Sequence, residues 1–308
     1  MNTLGKWLIS IRAFALSAST MPILFGTALA VVVGGAHLNI PRFLLALVGM
    51  MALHSGANML NDVFDYRKGL DKQPTPVSGA VVRGLLTDKQ VLAGGIALML
   101  LGSAIGVLLA WMVGPTILTL GIVGVAIGFF YTAGPIELKY HGLGDLAVFL
   151  DFGVLGSLGA WIVQTAHFSW IPALWAVPMS LYVIGILHAN NWRDIGSDSG
   201  LSVVTVASLL GDRGSLIYYG FLLFTPFLFV TALVVLHFLS PGSTLGMPPA
   251  LLLTWLALPL ALQRWKRAVN RAAPAQPTDF IALDGATAQL NLVFGLLCSV
   301  AVVIHGII

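Results

Sequence analysis

The chain has 308 residues, of which 58% are apolar and only 9% are Asp, Glu, Lys or Arg, and its net charge is +3. Soluble domains carry about 25% charged residues, so this composition excludes an ordinary soluble enzyme, a disordered chain and a nucleic-acid-binding protein. The single cysteine, Cys298, excludes a disulfide framework and a cysteine-based metal cluster. The remaining class is a polytopic protein of the lipid bilayer.

Apolar runs long enough to cross about 30 Å of hydrocarbon recur along the whole chain. They predict an all-α membrane protein with nine transmembrane helices in one domain, residues 1–308. The runs lack the polar stripe of a water-soluble bundle and the alternation of a spanning barrel. The predicted spans are roughly 12–35, 43–62, 91–112, 115–132, 144–163, 170–189, 215–237, 248–263 and 286–308.

The charges predict the orientation of these spans. With the N-terminus inside, every Lys and Arg except Arg42 falls in the first twelve residues or in the inner loops. The positive-inside rule then predicts a multi-pass protein of the cell membrane whose N-terminus and inner loops are cytoplasmic. The acidic residues also lie on this side or at helix mouths facing it, except Asp151, about two turns inside the fifth span. The inner loops lie near 63–90, 133–143, 190–214 and 264–285.

Two clusters of carboxylates and amides follow even-numbered spans and open inner loops. On a helix end, residues three and four apart share a face, so each cluster is expected to point one way. Clustered carboxylates near a bilayer cost several kcal/mol unless something neutralises them. The first cluster is Asn58, Asn61, Asp62 and Asp65, and the second is Asn190, Asn191, Asp194 and Asp198.

Such sets of oxygen ligands suit Mg²⁺, which shares its coordination positions with substrate phosphates. Basic residues that could hold phosphate oxygens accompany both clusters. The pattern therefore indicates a site for Mg²⁺ and a diphosphate. A solvated helix end is the alternative for each cluster alone, and a general acid–base carboxylate pair is another. The basic residues are Arg67, Lys68, Lys72, Arg83, Lys139 and Arg193.

These residues resemble the two Asp-rich motifs of the UbiA superfamily of intramembrane prenyltransferases. The first motif reads Asn61-x3-Asp65-x3-Gly69-x-Asp71, the form of the menaquinone branch, which prenylates 1,4-dihydroxy-2-naphthoate. The second motif reads Asn190-Asn191-Trp-Arg193-Asp194-x3-Asp198. The segment from Tyr131 to Asp145 is similar to the branch's loop between its fourth and fifth spans.

The resemblance implies a horseshoe of nine helices around a central cavity, capped by cytoplasmic Asp-rich loops. It also implies Mg²⁺ as the cofactor, a polyprenyl diphosphate donor and an aromatic acceptor, with 1,4-dihydroxy-2-naphthoate as the first choice. The implied catalytic residues are Asp65, Asp71, Asp194, Asp198 and Lys139. The implied metal ligands are Asn61, Asp62, Asp65, Asn190, Asp194 and Asp198. The implied diphosphate ligands are Arg67, Lys68, Arg83, Lys139 and Arg193. The candidates for the acceptor site or cavity are Asn58, Tyr131, Asp151, Asn191 and Asn291.

The chain departs from the family pattern at three places that bear on the acceptor. Val204 precedes Thr205 where the family usually has a basic residue, Asp151 stands where the menaquinone branch is normally apolar, and Asn291 stands where that branch commonly carries His. A UbiA-type enzyme with another acceptor and a terpene cyclase therefore remain alternatives. A membrane transporter with an ion site at the two clusters is the alternative of another class. The scarcity of polar residues in the outer halves of the spans argues for one-sided access and favours an enzyme.

Overall fold

The computed structural model describes residues 1–70, 74, 79–198, 203–273 and 282–308, with the backbone alone at residues 197 and 198. Within these ranges every regular element is a helix, so the predicted all-α class is confirmed. The α-helices are α1 (Thr3–Ser10), α2 (Ser17–Val32), α3 (Ile40–Lys68), α4 (Asp88–Val113), α5 (Pro115–Phe130), α6 (Gly144–Val148), α7 (Gly156–Thr165), α8 (Ile171–Trp175), α9 (Val177–Asp198), α10 (Val206–Leu239), α11 (Leu258–Val269) and α12 (Leu283–Ile307).

Six helical stretches within the described ranges are long and apolar enough to cross a membrane, judged by length and composition. A shorter apolar helix, α5, has 16 residues. The predicted spans at 170–189 and 248–263 also fall on helical segments, α8 with α9, and Pro249–Ala257 with α11. The six long stretches are Ala13–Val32, Ile40–Lys68, Asp88–Val113, Gly144–Thr165, Val206–Leu239 and Leu283–Ile307.

The described part of each Asp-rich motif lies mainly on a helix end, as the spacing of the clusters predicts, rather than in the loop that the resemblance implies. Helix α3 continues past its predicted end at residue 62 to Lys68, and α9 continues past residue 189 to Asp198. Helix α3 stops at Gly69, whose φ of 70° is left-handed and favours glycine. These extra turns are polar, and cations of this chain pair with Asp65 and Asp194 in them, as described below.

Helix α2 packs against α3, α7 and α12, while α9 packs against α10 and α12. Aromatic side chains fill the contact between α9, α10 and α12, where Tyr182, Phe227 and Phe294 are almost completely buried. Other large apolar side chains point outward, and Trp111 in α4 is 85% exposed. An apolar outer surface over a packed interior is what a bilayer requires of a helical protein.

Helices α3 and α4 approach each other at glycines. A Cβ at Gly102 would lie 2.8 Å from the carbonyl oxygen of Gly49 and 2.6 Å from Leu53 Cγ. Small residues allow helix backbones to come this close, and the contact also forms part of a cavity wall described below.

We expect Gly102→Ala to lower the melting temperature in detergent by several degrees, because over-packing a close contact costs about 1–3 kcal/mol. Gly106→Ala, one turn later in α4, is the matched control, since a Cβ there meets nothing within 4 Å. Thermal unfolding of both variants measures the difference. Equal melting temperatures would show that the backbone contact is not tight.

Candidate active site

The last turns of α3 present an amide and a carboxylate to one lysine. Lys139 Nζ donates to Asn61 Oδ1 at 3.0 Å and to Asp65 Oδ2 at 2.5 Å. Asn61 and Asp65 are buried and lie four residues apart, so their oxygens reach the same ammonium group. Lys139 comes from the 3₁₀ turn Leu138–Tyr140 between α5 and α6. The first cluster therefore already holds a cation supplied by this chain.

Tyr140 fixes the other oxygen of the same carboxylate. Its hydroxyl donates to Asp65 Oδ1 at 2.7 Å. Burial, and then the negative charge of Asp65, raises the pKa of Tyr140 well above its ordinary value, so the phenol stays protonated and can donate. Lys68 Nζ lies 4.1 Å from the centre of the Tyr140 ring and 2.6 Å from Glu137 Oε1. Both oxygens of Asp65 are thus oriented by neighbouring side chains.

The second cluster is organised around Arg193 in α9. Its guanidinium donates twice to Asp194, from Nε to Oδ1 at 2.9 Å and from Nη2 to Oδ2 at 3.1 Å. Nη2 also donates to Asn190 Oδ1 at 2.5 Å, and Nη1 donates to Asp284 Oδ2 at 3.1 Å. The side chains of Arg193 and Asp284 are only 6% and 7% exposed. This buried network ties the end of α9 to the first turn of α12.

The two clusters share one arrangement. In each, an Asn and an Asp four residues apart on a helix end hold one cation of this chain. Asn61 and Asp65 in α3 correspond in this respect to Asn190 and Asp194 in α9. The sequence predicts matching clusters, and the structure adds that Asp65 and Asp194 are each already paired with a cation.

A cavity, named here the charged cavity, lies between the two clusters. Its polar lining residues are Arg12, His54, Asn58, Asn61, Tyr131, Lys139, Asp151, Asn190 and Asp284. A second cavity of about 140 Å³, named here the apolar cavity, lies between α3, α4, α5 and α7. A closed apolar cavity of about 150 Å³ stays dry and accepts hydrocarbon. Five residues line both cavities, so the carboxylate clusters connect with the apolar interior. They are His54, Ala57, Gly128, Asp151 and Phe152.

Other predicted residues of the first cluster lie beside the cavity rather than in its lining. Asp62 turns away from Lys139, and its Oδ2 accepts a hydrogen bond from Val81 N at 3.2 Å. A Cβ at Gly79 would overlap the Asp62 carboxylate, so this carboxylate holds the turn before α4. Arg67 forms an exposed ion pair with Asp88 at 2.9 Å.

The remaining predicted residues take several positions. Arg83 is half-buried in the turn before α4, and Asn191 is buried in α9. Asn291 is fully buried, and its Nδ2 donates to Ser17 Oγ at 3.5 Å. Asn58 lines the charged cavity and donates to Ile11 O at 3.1 Å, and Tyr131 also lines it. Lys72, Asp71 and the side chain of Asp198 lie outside the described residues.

Three residues of the site are not predicted from the sequence. The only indication of Tyr140 in the sequence is that it directly follows Lys139 in the segment from Tyr131 to Asp145. Asp284 opens the last helix, and the sequence places it at a helix mouth without indicating its bond to Arg193. Arg12 counts in the sequence only toward the topology, yet it lines the charged cavity with a left-handed φ of 52°. Such backbone conformations in non-glycine residues are uncommon and cluster at functional sites.

Two backbone hydrogen bonds, named here the loop clasp, join the turn that carries Lys139 to the segment before α10. Val204 N donates to Tyr140 O at 3.0 Å, and Gly142 N donates to Val204 O at 2.7 Å. They form an isolated parallel bridge between His141 and Val204. The side chain of Val204 is 40% exposed, so this residue contributes through its backbone. The clasp connects the loop of the first cluster with the segment that follows the second.

The side chains present fit a divalent cation that prefers oxygen. Asn61 and Asp65 already direct two oxygens at one positive group, and Asn190 and Asp194 do the same. Among the described residues, however, no three His, Cys, Asp or Glu side chains form a metal-binding group by themselves. The described donors therefore suit a cation such as Mg²⁺ that takes its remaining ligands from water or phosphate.

Curated relatives match nearly the whole chain. The UbiA prenyltransferase domain-containing protein 1 of Xenopus tropicalis is 32% identical over 295 residues, which cover 95% of this chain and 80% of the relative. Its Drosophila melanogaster homolog is 34% identical over 305 residues, which cover 97% of this chain and 79% of the relative.

A solved structure has the same fold at low sequence identity. The UbiA homolog from Aeropyrum pernix superposes with a TM-score of 0.68 at 16% identity, over 94% of this chain and 97% of that one. A UbiA homolog from Archaeoglobus fulgidus, bound to GPP and Mg²⁺, superposes with a TM-score of 0.58 at 13% identity, over 96% of this chain and 99% of that one. The model of the UbiA prenyltransferase family matches residues 19–283. The chain therefore belongs to the UbiA prenyltransferase family and is a prenyltransferase.

Proposed function

We propose that this protein transfers a polyprenyl group from a polyprenyl diphosphate to an aromatic acceptor, and that the acceptor is 1,4-dihydroxy-2-naphthoate of menaquinone synthesis. One observation carries the proposal. Two matched pairs of Asn and Asp each hold a cation, and the Asn of each pair lines a charged cavity that continues into an apolar one. The charged cavity suits a diphosphate, and the apolar cavity suits an isoprenoid tail.

Mg²⁺ is the cofactor in this proposal, as the Archaeoglobus homolog bound to GPP and Mg²⁺ suggests by analogy. When bound, it neutralises the diphosphate and the charge that develops as the allylic C–O bond breaks. Asn61 and Asp65 on one side would hold the metal, and Asn190 and Asp194 on the other. Asp71 and Asp198 keep their predicted place as further ligands of the same kind, and Asp62 keeps it through Oδ1, which has no hydrogen-bond partner among the described residues.

Residues of the chain bind the diphosphate, orient the metal ligands and exclude water in this proposal. Lys139 and Arg12 border the charged cavity and bind diphosphate oxygens there, while Arg193 keeps Asp194 oriented. The predicted diphosphate contacts of Lys68 and Arg83 belong to the same proposal, whereas Arg67, which pairs with Asp88 outside the cavity lining, is left out of it. The apolar cavity surrounds the tail and keeps water from the allylic cation. The electron pair of the broken C–O bond leaves with the diphosphate. A ring carbon of the acceptor supplies the electron pair of the new C–C bond and then loses the group that it carried, either a proton or the carboxyl group as CO2.

The proposal includes the position of the protein in the membrane. The whole chain forms one domain with nine spans, in which α5, α9 with α8, and α11 with its preceding 3₁₀ segment complete the six long stretches. The positive-inside rule places both clusters on the cytoplasmic side of the cell membrane. The diphosphate head group of a donor whose tail lies in the bilayer can then reach the charged cavity from that side.

Purified protein with labelled geranyl diphosphate, Mg²⁺ and 1,4-dihydroxy-2-naphthoate tests the proposal. We expect a prenylated naphthoate that disappears to background when EDTA replaces Mg²⁺, and much less product with 4-hydroxybenzoate. If the rate at which geranyl diphosphate is consumed is the same with and without the naphthoate, the result would instead indicate a terpene cyclase. Metal-independent product formation would contradict the proposed role of Mg²⁺.

A further inference from the structure

Asp151 occupies an unusual place in the helix that borders both cavities. It lies in the π-helical segment Phe149–Leu155, which joins α6 to α7 within the apolar stretch Gly144–Thr165. Single π-helical turns are rare and occur frequently at functional sites. Asp151 also belongs to the five residues that line both the charged and the apolar cavity. Its carboxyl group therefore faces the junction between them.

The Asp151 carboxyl group forms no hydrogen bond or ion pair with the part of the chain that the structure describes. Its Oδ1 packs against the bare backbone of α5 instead, 2.9 Å from where a Cβ of Gly124 would lie. A half-buried carboxyl group within an apolar helix needs a polar partner from the protein, from water or from a ligand. Every other carboxylate described around the two clusters has at least one protein partner, although Oδ1 of Asp62 is buried without one. Those carboxylates are Asp62, Asp65, Asp145, Asp194 and Asp284.

The neighbours of Asp151 form a surface for an aromatic ring. His54 and Phe152 line the same junction, and their ring centres are 4.4 Å apart. Nδ1 of His54 is already engaged by Ser19 Oγ at 3.0 Å, which fixes the ring. Aromatic rings pack well against such a wall. The junction thus combines an aromatic wall with one unpartnered carboxyl group.

We propose that Asp151 accepts a hydrogen bond from a hydroxyl group of the aromatic acceptor and so determines which acceptors are used. A hydroxyl suits this position in particular, because a carboxyl group can accept from it whether it is charged or neutral. The location agrees with the geometry of transfer, since the junction lies between the diphosphate end and the tail end of the donor. This inference rests on the proposed prenyl transfer and adds the residue that selects the acceptor.

Three variants test the inference. Asp151→Leu removes the hydrogen bond, Asp151→Asn keeps an accepting oxygen, and Gly124→Ala keeps the carboxyl group but pushes it aside. The acceptors are 1,4-dihydroxy-2-naphthoate and its two monomethyl ethers, with geranyl diphosphate as the donor. Binding of each naphthoate without donor is followed by tryptophan fluorescence, so one measurement does not depend on turnover.

We expect Asp151→Leu to lower kcat/KM for the dihydroxy acceptor about tenfold to hundredfold, the usual range for a hydrogen bond to a charged group. Its Kd for that acceptor should rise by a similar factor, while KM for geranyl diphosphate stays the same. The wild-type protein should discriminate against at least one ether, and Asp151→Leu should lose this discrimination. For Asp151→Asn and Gly124→Ala, kcat/KM and Kd for the dihydroxy acceptor should lie between the values of the wild type and those of Asp151→Leu.

An Asp151→Leu protein that keeps the wild-type preference for the hydroxyl would overturn the inference and leave the proposed function intact. So would equal losses of donor and acceptor binding together with a lower melting temperature, which indicate a structural role. If Asp151→Leu does not fold, a wild-type Kd of Gly124→Ala for the dihydroxy acceptor would also overturn the inference. Failure of the wild-type protein to prenylate any naphthoate would overturn the proposed function, and the inference with it.

Discussion

Asp65→Asn and Asp194→Asn should each reduce kcat/KM for prenyl transfer about 10²- to 10³-fold, the usual cost of removing one electrostatic contact to a developing charge. Each change keeps the size of the side chain and an oxygen at the site but removes the charge. The paired arrangement at the ends of α3 and α9 leads us to expect similar losses on both sides. The apparent KM for Mg²⁺ should rise in both variants, which a titration with labelled geranyl diphosphate measures.

Asp88→Asn is the matched control for these variants. Asp88 also has an arginine partner, Arg67, but this ion pair is exposed and lies at the start of α4 outside the cavity lining. We expect its activity to stay within about twofold of wild type, since exposed ion pairs contribute about 0–1 kcal/mol. Normal activity and normal Mg²⁺ dependence in Asp65→Asn and Asp194→Asn would show that the carboxylates only stabilise the helix ends.

Arg193→Met should destabilise the protein more than any other single change considered above. It removes the guanidinium that pairs with the buried carboxylate of Asp284 and with the half-buried carboxylate of Asp194. Removing one member of a buried ion pair costs about 3–5 kcal/mol. Arg193→Lys should restore little of this, because one ammonium group cannot reproduce the four hydrogen bonds of the guanidinium.

Thermal unfolding in detergent measures the effect. The double variant Arg193→Met with Asp284→Asn should recover part of the loss, because it removes a charge that the single variant leaves unpaired. Arg67→Lys is the control for an arginine in an exposed ion pair and should leave the melting temperature nearly unchanged. A fully stable Arg193→Lys protein would show that charge alone, without the fork geometry, is sufficient.

The helical fold and the two carboxylate clusters could be predicted because each depends on local sequence. Long apolar runs define the helices, and the spacing of Asn61 and Asp65 places both on one helix face. The helix ends are less predictable, because polar residues such as those between Asn58 and Lys68 suggest a loop. At the end of α3 the carboxylate of Asp65 pairs with Lys139, which lies 74 residues away in the sequence. Such a long-range contact has no local signal.

The partners of the clusters illustrate the same limit. The sequence predicts Arg193 as a ligand for the diphosphate, but the structure shows it bonded to Asp194 and to Asp284, 91 residues away. Asp151 is the opposite case. The sequence marks it as an ionisable group in an apolar span, and its position at the cavity junction gives that departure a specific meaning.

In the loop clasp, the backbone of Val204 positions the turn that carries Lys139, while the side chain of Val204 takes no part. Because Val204 contributes only its backbone N–H and C=O, a side chain of any polarity at this position leaves the hydrogen bonds to Tyr140 and Gly142 unchanged. The exposed side chain can therefore vary with the ligand while the turn that carries Lys139 stays in place. A basic residue could therefore be introduced at position 204 while the backbone hydrogen bonds of the loop clasp stay in place.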